Sequence, residues 1–441
     1  MQFCGRRATV MGLGRHGGGA VAARYLAEQG AIVTVTDLAD AAALADSLEA
    51  LAGLPIGRFH LGGHHESDFA NVDLVVVNPA VRPANPLIEI ARQSGAQVTS
   101  EIEMFLAACP APVIGVTGTN GKSTTAAMTA AIINAAGRRA WLGGNIGRSL
   151  LADLPQIRPD DWIVLELSSF QLYWLGDAVR WPQVAVLTNL APNHLDWHGS
   201  VAHYRQSKQR LLDRGRPVQP WGDADIPPLR ILGRHNRANA ALAAAAATLA
   251  GADRESAVRG LSEFSGLPHR LMLVAEIEGR QFFNDSKSTT PEAAIAALSA
   301  MDRPTLVLLG GSDKQVEFSP LVAAVGRQAR GAALFGATGN LLDNLFSVEA
   351  PHLRRQRTER LDDALAWCWS QSSPGEAILL SPACASLDQF HDYADRGETF
   401  ARLVHDIAAT RIKGSENSDL RFADLKSQGP VGSLPGRHSL R

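Results

Sequence analysis

The sequence predicts an α/β protein of three domains built on mostly parallel sheets. Three observations carry this. Short apolar runs alternate with helical segments along most of the chain, the pattern of βαβ units. Two strand-to-helix junctions are glycine turns, Gly12-Leu-Gly-Arg-His-Gly17 and Gly118-Thr-Asn-Gly-Lys-Ser123, a kind of junction that receives phosphate groups. The length, 441 residues, exceeds what one hydrophobic core serves.

Composition removes several function classes. Hydrophobic residues make up 46% and charged residues 20%, ordinary globular usage. A formal net charge of −2 sets up no field that would draw nucleic acid or an acidic membrane. There is no apolar run of about eighteen residues, so no membrane span is expected. The first residues lead into a strand without the apolar stretch of a signal peptide. Cys4, Cys109, Cys368 and Cys384 follow no metal or redox spacing, which suits free thiols in a reducing cytoplasm.

The first domain is read as residues 1–108. Ala8 to Met11 is a strand, the glycine turn follows, and a helix runs from Ala20 to Gln29. Ala31 to Thr36 is a second strand ending at Asp37, twenty positions after Gly17. On these residues alone the usual reading is a dinucleotide site, with the acid on a ribose or base. A tight turn with a solvated Asp is the plain alternative. Leu74 to Val77 is a further buried strand, and Asn78 opens the loop at its C-terminal end, where open α/β sheets bind ligands.

The second domain is read as residues 109–265. Pro112 to Thr117 is a buried strand, Gly118 to Gly121 a glycine loop, and Lys122 opens an alanine-rich helix stopped by Gly137. Backbone N–H groups and the helix dipole would face an anion here, Lys122 would reach the β- and γ-phosphates, and Ser123 would ligate Mg²⁺. The loop is a variant: the general phosphate-loop pattern has glycine where this chain has Val116. Glu166 interrupts an apolar strand near its end, costly unless paired or bound to a cation. The stretch Thr188 to His198 offers Asn189, Asn193, His194, Asp196 and His198 as candidate ligands, with a structural role as the plain alternative for any one of them. Lys208 sits mid-helix and by residue type reads as a solvated lysine. Asn236 and Asn239 share the start of a helix that runs to Ala250; they would read an adenine edge or simply cap the helix.

The third domain is read as residues 266–413, with residues 414–441 as a disordered tail rich in Gly, Ser, Pro and charge. The linker Gly266-Leu-Pro-His-Arg270 carries two potential cations, Asp285 lies in the cluster that ends the strand at Phe282, and functional groups gather at the strand C-termini: Lys287, Thr289, Lys314 and Ser386. The last helix is expected over Thr399 to Ala408.

Taken together, Gly118-Thr-Asn-Gly-Lys-Ser-Thr124, Gly144-Asn-Ile-Gly147, Leu165-Glu-Leu-Ser-Ser-Phe-Gln171, Asn193-His-Leu-Asp196, His235-Asn-x-x-Asn239, Gly266-Leu-Pro-His-Arg270, Asn284-Asp-Ser-Lys287 and Leu380 to Phe390 resemble the Mur ligases, over about Val10 to Ala409. The resemblance implies a UDP-binding first domain, a central ATPase domain and a C-terminal Rossmann-like domain. It implies ATP-driven peptide-bond formation through an acyl phosphate, adding D-glutamate to UDP-N-acetylmuramoyl-L-alanine for peptidoglycan precursors. The alternatives are L-glutamate as acceptor, or a non-catalytic nucleotide-binding relative. A cytoplasmic monomer with two Mg²⁺ sites, shielding its intermediate in a closing cleft, is expected.

Roles carry over by motif. Gly118, Thr119, Asn120, Gly121, Lys122, Ser123 and Thr124 would hold the ATP phosphates, and Asn236, Asn239 and Asp285 the adenosine. Arg270 and Lys287 would neutralise phosphate charge. Ser123, Glu166, His194 and Lys208 would serve Mg²⁺, Lys208 after carbamylation by CO₂. Gly14, Arg15, Asp37, Asn78, Asn145, Ser168 and His194 would contact the UDP-sugar substrate. Thr289, Lys314, Ser386, Leu387 and Tyr393 would seat glutamate. Lys122, Lys208, His194 and Lys287 are the expected catalytic set.

The chain also departs from the family pattern. Only 24 residues separate Lys208 from Gly233, so the central sheet should be trimmed at one edge. Tyr393 replaces Phe beside glutamate, and Leu38 and Ala39 replace polar residues after Asp37. Ser288-Thr-Thr-Pro291 differs from the commoner Ala-Thr-Asn. The intact Ser386-Leu-Asp-Gln-Phe390 stretch argues for D-glutamate.

Overall fold

The computed structural model describes residues 3–14, 17–313, 316–412 and 421–422. Its three sheets follow one another along the chain. The first orders its strands β3-β2-β1-β4-β5, with β1 Arg7–Met11, β2 Ile32–Asp37, β3 Ile56–Leu61, β4 Leu74–Val77 and β5 Gln97–Thr99, all parallel. β4 is buried at every residue, which is why it reads as an unbroken apolar run rather than an alternating one. Helix Gly18–Glu28 lays Ala20, Ala23, Leu26 and Ala27 into that core.

The second sheet orders β10-β9-β6-β8-β7, with β6 Val113–Thr117, β7 Ala140–Gly144, β8 Trp162–Glu166, β9 Val184–Leu187 and β10 Arg216–Pro217, again all parallel. The sheet ends in the two-residue strand β10, on the side where the sequence is short. Helix Glu101–Ala108 links the first two sheets. Its Ile102, Met104, Phe105 and Leu106 belong to one apolar cluster with Leu26 and Val33 on one side and Leu165 and Leu172 on the other.

The third sheet has seven strands in the order β15-β14-β13-β16-β12-β11-β17: β11 Met272–Ile277, β12 Arg280–Asn284, β13 Thr305–Gly310, β14 Gly331–Phe335, β15 Arg354–Arg357, β16 Ala377–Leu380 and β17 Arg421–Phe422. β11 runs antiparallel to β12 and to β17; the others are parallel. Apolar layers cover both faces. The first two sheets lie in one compact unit, Met1–Pro227 with Ala238–Leu261, and the third sheet in the other, Pro228–Arg237 with the chain from Ser262 onward.

The last helix spans Tyr393–Ile412, starting earlier than Thr399. Asp392 explains the early start: its Oδ1 accepts from the Ala394 and Asp395 amides at 2.7 and 2.9 Å, an N-cap. Arg15, Lys314 and, apart from Arg421–Phe422, the segment 414–441 lie outside the described residues. Among the described residues no helix is long and apolar enough to cross a membrane.

Candidate active site

The phosphate loop stands at the C-terminal ends of β6 and β9. Gly118 has φ +146, and a Cβ there would come 1.9 Å from Thr188 Oγ1. Gly121, at φ +80, faces the Asn239 side chain so closely that a Cβ would lie 2.4 Å from its Oδ1. Both positions therefore demand glycine. The loop is braced from β9: Asn189 accepts from the Asn120 amide at 3.0 Å and donates to its carbonyl at 2.9 Å. Thr119 shares a 2.8 Å hydrogen bond with the Tyr204 hydroxyl. Lys122 donates from Nζ to the Thr119 carbonyl at 2.8 Å. It opens helix Lys122–Ala135, whose first turn also holds the buried Ser123. Thr188 and Tyr204 escape any reading of the sequence, because their role comes from contacts about seventy and eighty-five positions away.

Glu166 lies opposite Val116 in the register of β6 and β8. It is 2% exposed. Asn145 donates to its Oε1 at 2.8 Å, while its Oε2 is buried without a protein donor. Asn145 thus rests on the acid, and its backbone amide also binds the Glu166 carbonyl. Ser168 caps helix Ser169–Trp174 in a capping box with Gln171.

Lys208 is not a surface lysine. It is 2% exposed, donating to the Gly118 carbonyl at 2.9 Å and to Thr117 Oγ1 at 3.3 Å, beneath the phosphate loop. Burial, reinforced by the Lys122 ammonium and opposed by Glu166, pushes its ammonium down to about 7. His194 stands in the left-handed region at φ 53, packed 4.8 Å from the Phe170 ring. Partial desolvation holds its imidazole below the ordinary value, aided by Lys122 and Lys208 and opposed by Asp196.

In the first sheet, Asp37 uses both carboxylate oxygens on local backbone. Oδ2 accepts from the Gly14 amide at 3.0 Å and Oδ1 from the Ala39 amide at 2.8 Å. The acid therefore fixes the glycine turn, which is its structural reason for following β2. Asn78 folds over the same turn, so that a Cβ on Gly12 would lie 2.7 Å from the Asn78 Cβ, while its Oδ1 accepts from the Ala80 amide at 3.0 Å.

The second unit carries its own cluster. Asp285 is buried, accepting from the Leu271 amide at 3.0 Å and the Ser381 hydroxyl at 2.8 Å. Burial pushes its carboxyl up to about 6, against the hydrogen bonds and Arg270. Lys287 holds its ammonium 5.2 Å from the centre of the Tyr393 ring. The Thr289 amide donates to the Lys287 carbonyl at 3.0 Å. Ser386 is buried and Leu387 beside it is 66% exposed. On helix Arg234–Leu249, Asn236 returns its amide to the Leu232 carbonyl in this unit.

These donors fit Mg²⁺ at the phosphate loop. It takes oxygen ligands and keeps water; the orphaned Glu166 Oε2 stands at the end of β8, and the buried Ser123 lies in the first turn of the helix that follows the loop from the neighbouring strand β6. Among the described residues no group of three His, Cys, Asp or Glu is placed to hold a metal. A cation here would complete its shell from phosphates and water.

Residues 6–100 match the N-terminal domain of MurD-like Mur ligases, and residues 116–219 match the Mur ligase middle domain. The chain is 36% identical over 469 aligned positions to the UDP-N-acetylmuramoylalanine–D-glutamate ligase of Roseiflexus sp., spanning 92% of this chain and 99% of that protein. It is 34% identical to the ligase of the same name from Geobacter metallireducens, spanning 92% and 98%. Alignments longer than the chain itself mean that the Roseiflexus protein carries insertions this chain lacks, in keeping with the short stretch after Lys208. Among solved structures, UDP-N-acetylmuramate-alanine ligase MurC from Thermotoga maritima shares the fold at a TM-score of 0.58 and 18% identity, covering 92% of this chain and all of that one. With a third of its residues shared over nine-tenths of its length, the chain belongs to the Mur ligase family, on the branch of the UDP-N-acetylmuramoylalanine–D-glutamate ligases.

Proposed function

We propose that this enzyme joins D-glutamate to UDP-N-acetylmuramoyl-L-alanine at the expense of ATP, in the cytoplasmic assembly of peptidoglycan precursors, acting as a monomer. One observation carries the reading: a phosphate loop, an orphaned buried carboxylate and a lysine near neutrality share one end of the second sheet. The four unpaired cysteines suit a reducing compartment.

The alanyl carboxylate of the UDP-substrate attacks the γ-phosphorus, ADP departs, and an acyl phosphate results. The glutamate amine then attacks the acyl carbon, and phosphate leaves. Most of the acceleration in such transfers is positioning and charge neutralisation. The Gly118–Thr124 loop and Lys122 would hold the phosphates, with Asn239 beside the loop. Ser123, Glu166 and His194 would hold two Mg²⁺ ions, which neutralise charge on the transferring phosphoryl group. Asn145 steadies Glu166 and would present its remaining polar face to the sugar nucleotide. Gly14, Arg15, Asp37, Asn78 and Ser168 are the further candidates for that substrate. In the second unit Asn236 and Asp285 would serve the adenosine, and Arg270 and Lys287 the phosphates. Thr289, Lys314, Ser386, Leu387 and Tyr393 would seat glutamate. Carbamate formation requires a neutral amine, and burial shifts Lys208 towards that form near neutral pH. Its nitrogen would bond to CO₂ and release a proton, turning a cation into an oxygen ligand.

The test is phosphate release with ATP, Mg²⁺ and UDP-N-acetylmuramoyl-L-alanine, supplied with D- or L-glutamate separately. Turnover with D-glutamate is expected. Turnover with L-glutamate alone would reassign the amino-acid seat, and silence with both would refute ligase activity.

A further inference from the structure

Trp174 and Trp197 are buried, 6% and 9% exposed, and both reach from the second domain to one loop of the first. An indole packs by its apolar body, but its N–H must find an acceptor once water is gone. Trp174 donates from Nε1 to the Val81 carbonyl at 3.2 Å, and Trp197 donates from Nε1 to the Ala80 carbonyl at 3.1 Å. These are successive carbonyls of the loop that Asn78 opens after β4. Among the described residues no other donor reaches either of them. The two rings lie in one apolar cluster with Met11 of β1 and Val75 and Val77 of β4.

The loop has few bonds of its own. Pro79 and Pro83 bring no N–H, and the Ala80 and Val81 amides both turn back on Asn78, at 3.0 and 2.9 Å. The indoles come from elements that carry expected site groups. Helix Ser169–Trp174 begins shortly after Glu166 at the end of β8, and Trp174 is its last residue. The short helix Leu195–His198 has His194 as its N-cap, and the Trp197 amide donates to the His194 carbonyl at 3.2 Å. These two helices are fastened to each other. His198 Nε2 and Ser169 Oγ share a 2.9 Å hydrogen bond, and the Phe170 ring lies 4.7 Å from Trp197 and 4.8 Å from His194. Apolar packing alone is non-directional and would let the loop slide. Two N–H groups aimed at consecutive carbonyls from two helices leave it one position.

We propose that Trp174 and Trp197 are positioning residues for the UDP-substrate: their N–H groups staple the loop after β4 to the helices that follow Glu166 and His194, and so fix the spacing between the bound sugar nucleotide and the phosphate loop. This rests on the ligase reading. Spacing matters in such a transfer, because a misplacement of about 1 Å between reacting atoms costs on the order of 100-fold in rate.

The decisive variants are Trp174→Phe and Trp197→Phe in the full-length enzyme, which keep an aromatic ring and remove the N–H. In each, the KM for UDP-N-acetylmuramoyl-L-alanine should rise about tenfold, the cost of a carbonyl left without its donor, while the KM values for ATP and glutamate stay within about twofold. Benzothienylalanine in place of Trp197 has the shape of the indole without the N–H. It should give the same shift, which separates the lost hydrogen bond from any effect of ring size on folding. Equal changes in all three KM values, or none, would overturn the proposal. Hydrogen exchange reads the staple without turnover: the Ala80, Val81 and Arg82 amides should exchange about tenfold faster in both Phe variants, with those of β4 unchanged. Unchanged protection at the three loop amides overturns the assignment. Wild-type enzyme that releases no phosphate would refute the ligase reading, and the exchange result would still decide whether the indoles hold the loop.

Discussion

Replacing Lys208 by Met should make the protein more stable and inactive at once. The side chain is sealed under the phosphate loop, and its ammonium ionises near 7 rather than at 10.5. At about 1.4 kcal/mol for each tenfold, keeping that amine in the fold costs about 4 kcal/mol at pH 7. Methionine of similar length removes the charge but leaves the Gly118 carbonyl and Thr117 hydroxyl without their donor, a loss of about 1–3 kcal/mol. The net gain expected at pH 7 is therefore about 1–3 kcal/mol. The folded state sheds this proton near pH 7 while the unfolded chain holds it to 10.5, so wild-type stability from this group rises with pH between those values. At pH 9.5 the advantage of the variant should have shrunk by about 3 kcal/mol. Urea unfolding followed by tryptophan fluorescence, in CO₂-free buffer so that the amine stays unmodified, measures both. A variant less stable than wild type at pH 7, or a difference that does not move with pH, would show that the buried amine is not the costly group the geometry makes it.

Glu166→Gln should keep the Asn145 contact but lower turnover on the order of 100-fold, with a higher Mg²⁺ requirement; unchanged Mg²⁺ dependence would remove Glu166 from the metal set. Asp285 carries a raised carboxyl, so its contribution to stability is full below about pH 4 and is lost as pH rises to about 6. Asp285→Asn should flatten the thermal midpoint across that window, and an unaltered slope would contradict its burial as the cause. Gly118→Ala places a methyl group against Thr188 at a φ that L-residues avoid. It should abolish the thermal protection given by ATP and lower stability by about 2–3 kcal/mol, as read by melting with and without nucleotide.

Much of this protein was legible in its sequence. Strands β4 and β6 lie where the apolar runs put them, and helix Lys122–Ala135 opens at Lys122 and stops before Gly137, because apolar runs and helix-stopping glycines are local signals. The phosphate loop was legible for the same reason: strand, glycines, Lys122 and Ser123 are consecutive. The helix from Tyr393 was placed late because its start depends on one capping carboxylate, Asp392, rather than on periodicity.

What residue order alone determined, then, is the succession of elements and the chemistry carried on each turn, since both rest on neighbours within a few positions. The surroundings of single side chains were decided only by the tertiary fold. Lys208, by type a solvated lysine, loses its water to a loop ninety positions earlier. Asp37 gives one carboxylate oxygen to the Gly14 amide of the glycine turn twenty-three positions earlier. Trp174 and Trp197 carried no signal of their partners, because the carbonyls they meet belong to a loop more than ninety positions earlier. Desolvation and hydrogen-bond satisfaction depend on what the folded chain brings near, and no local pattern encodes them.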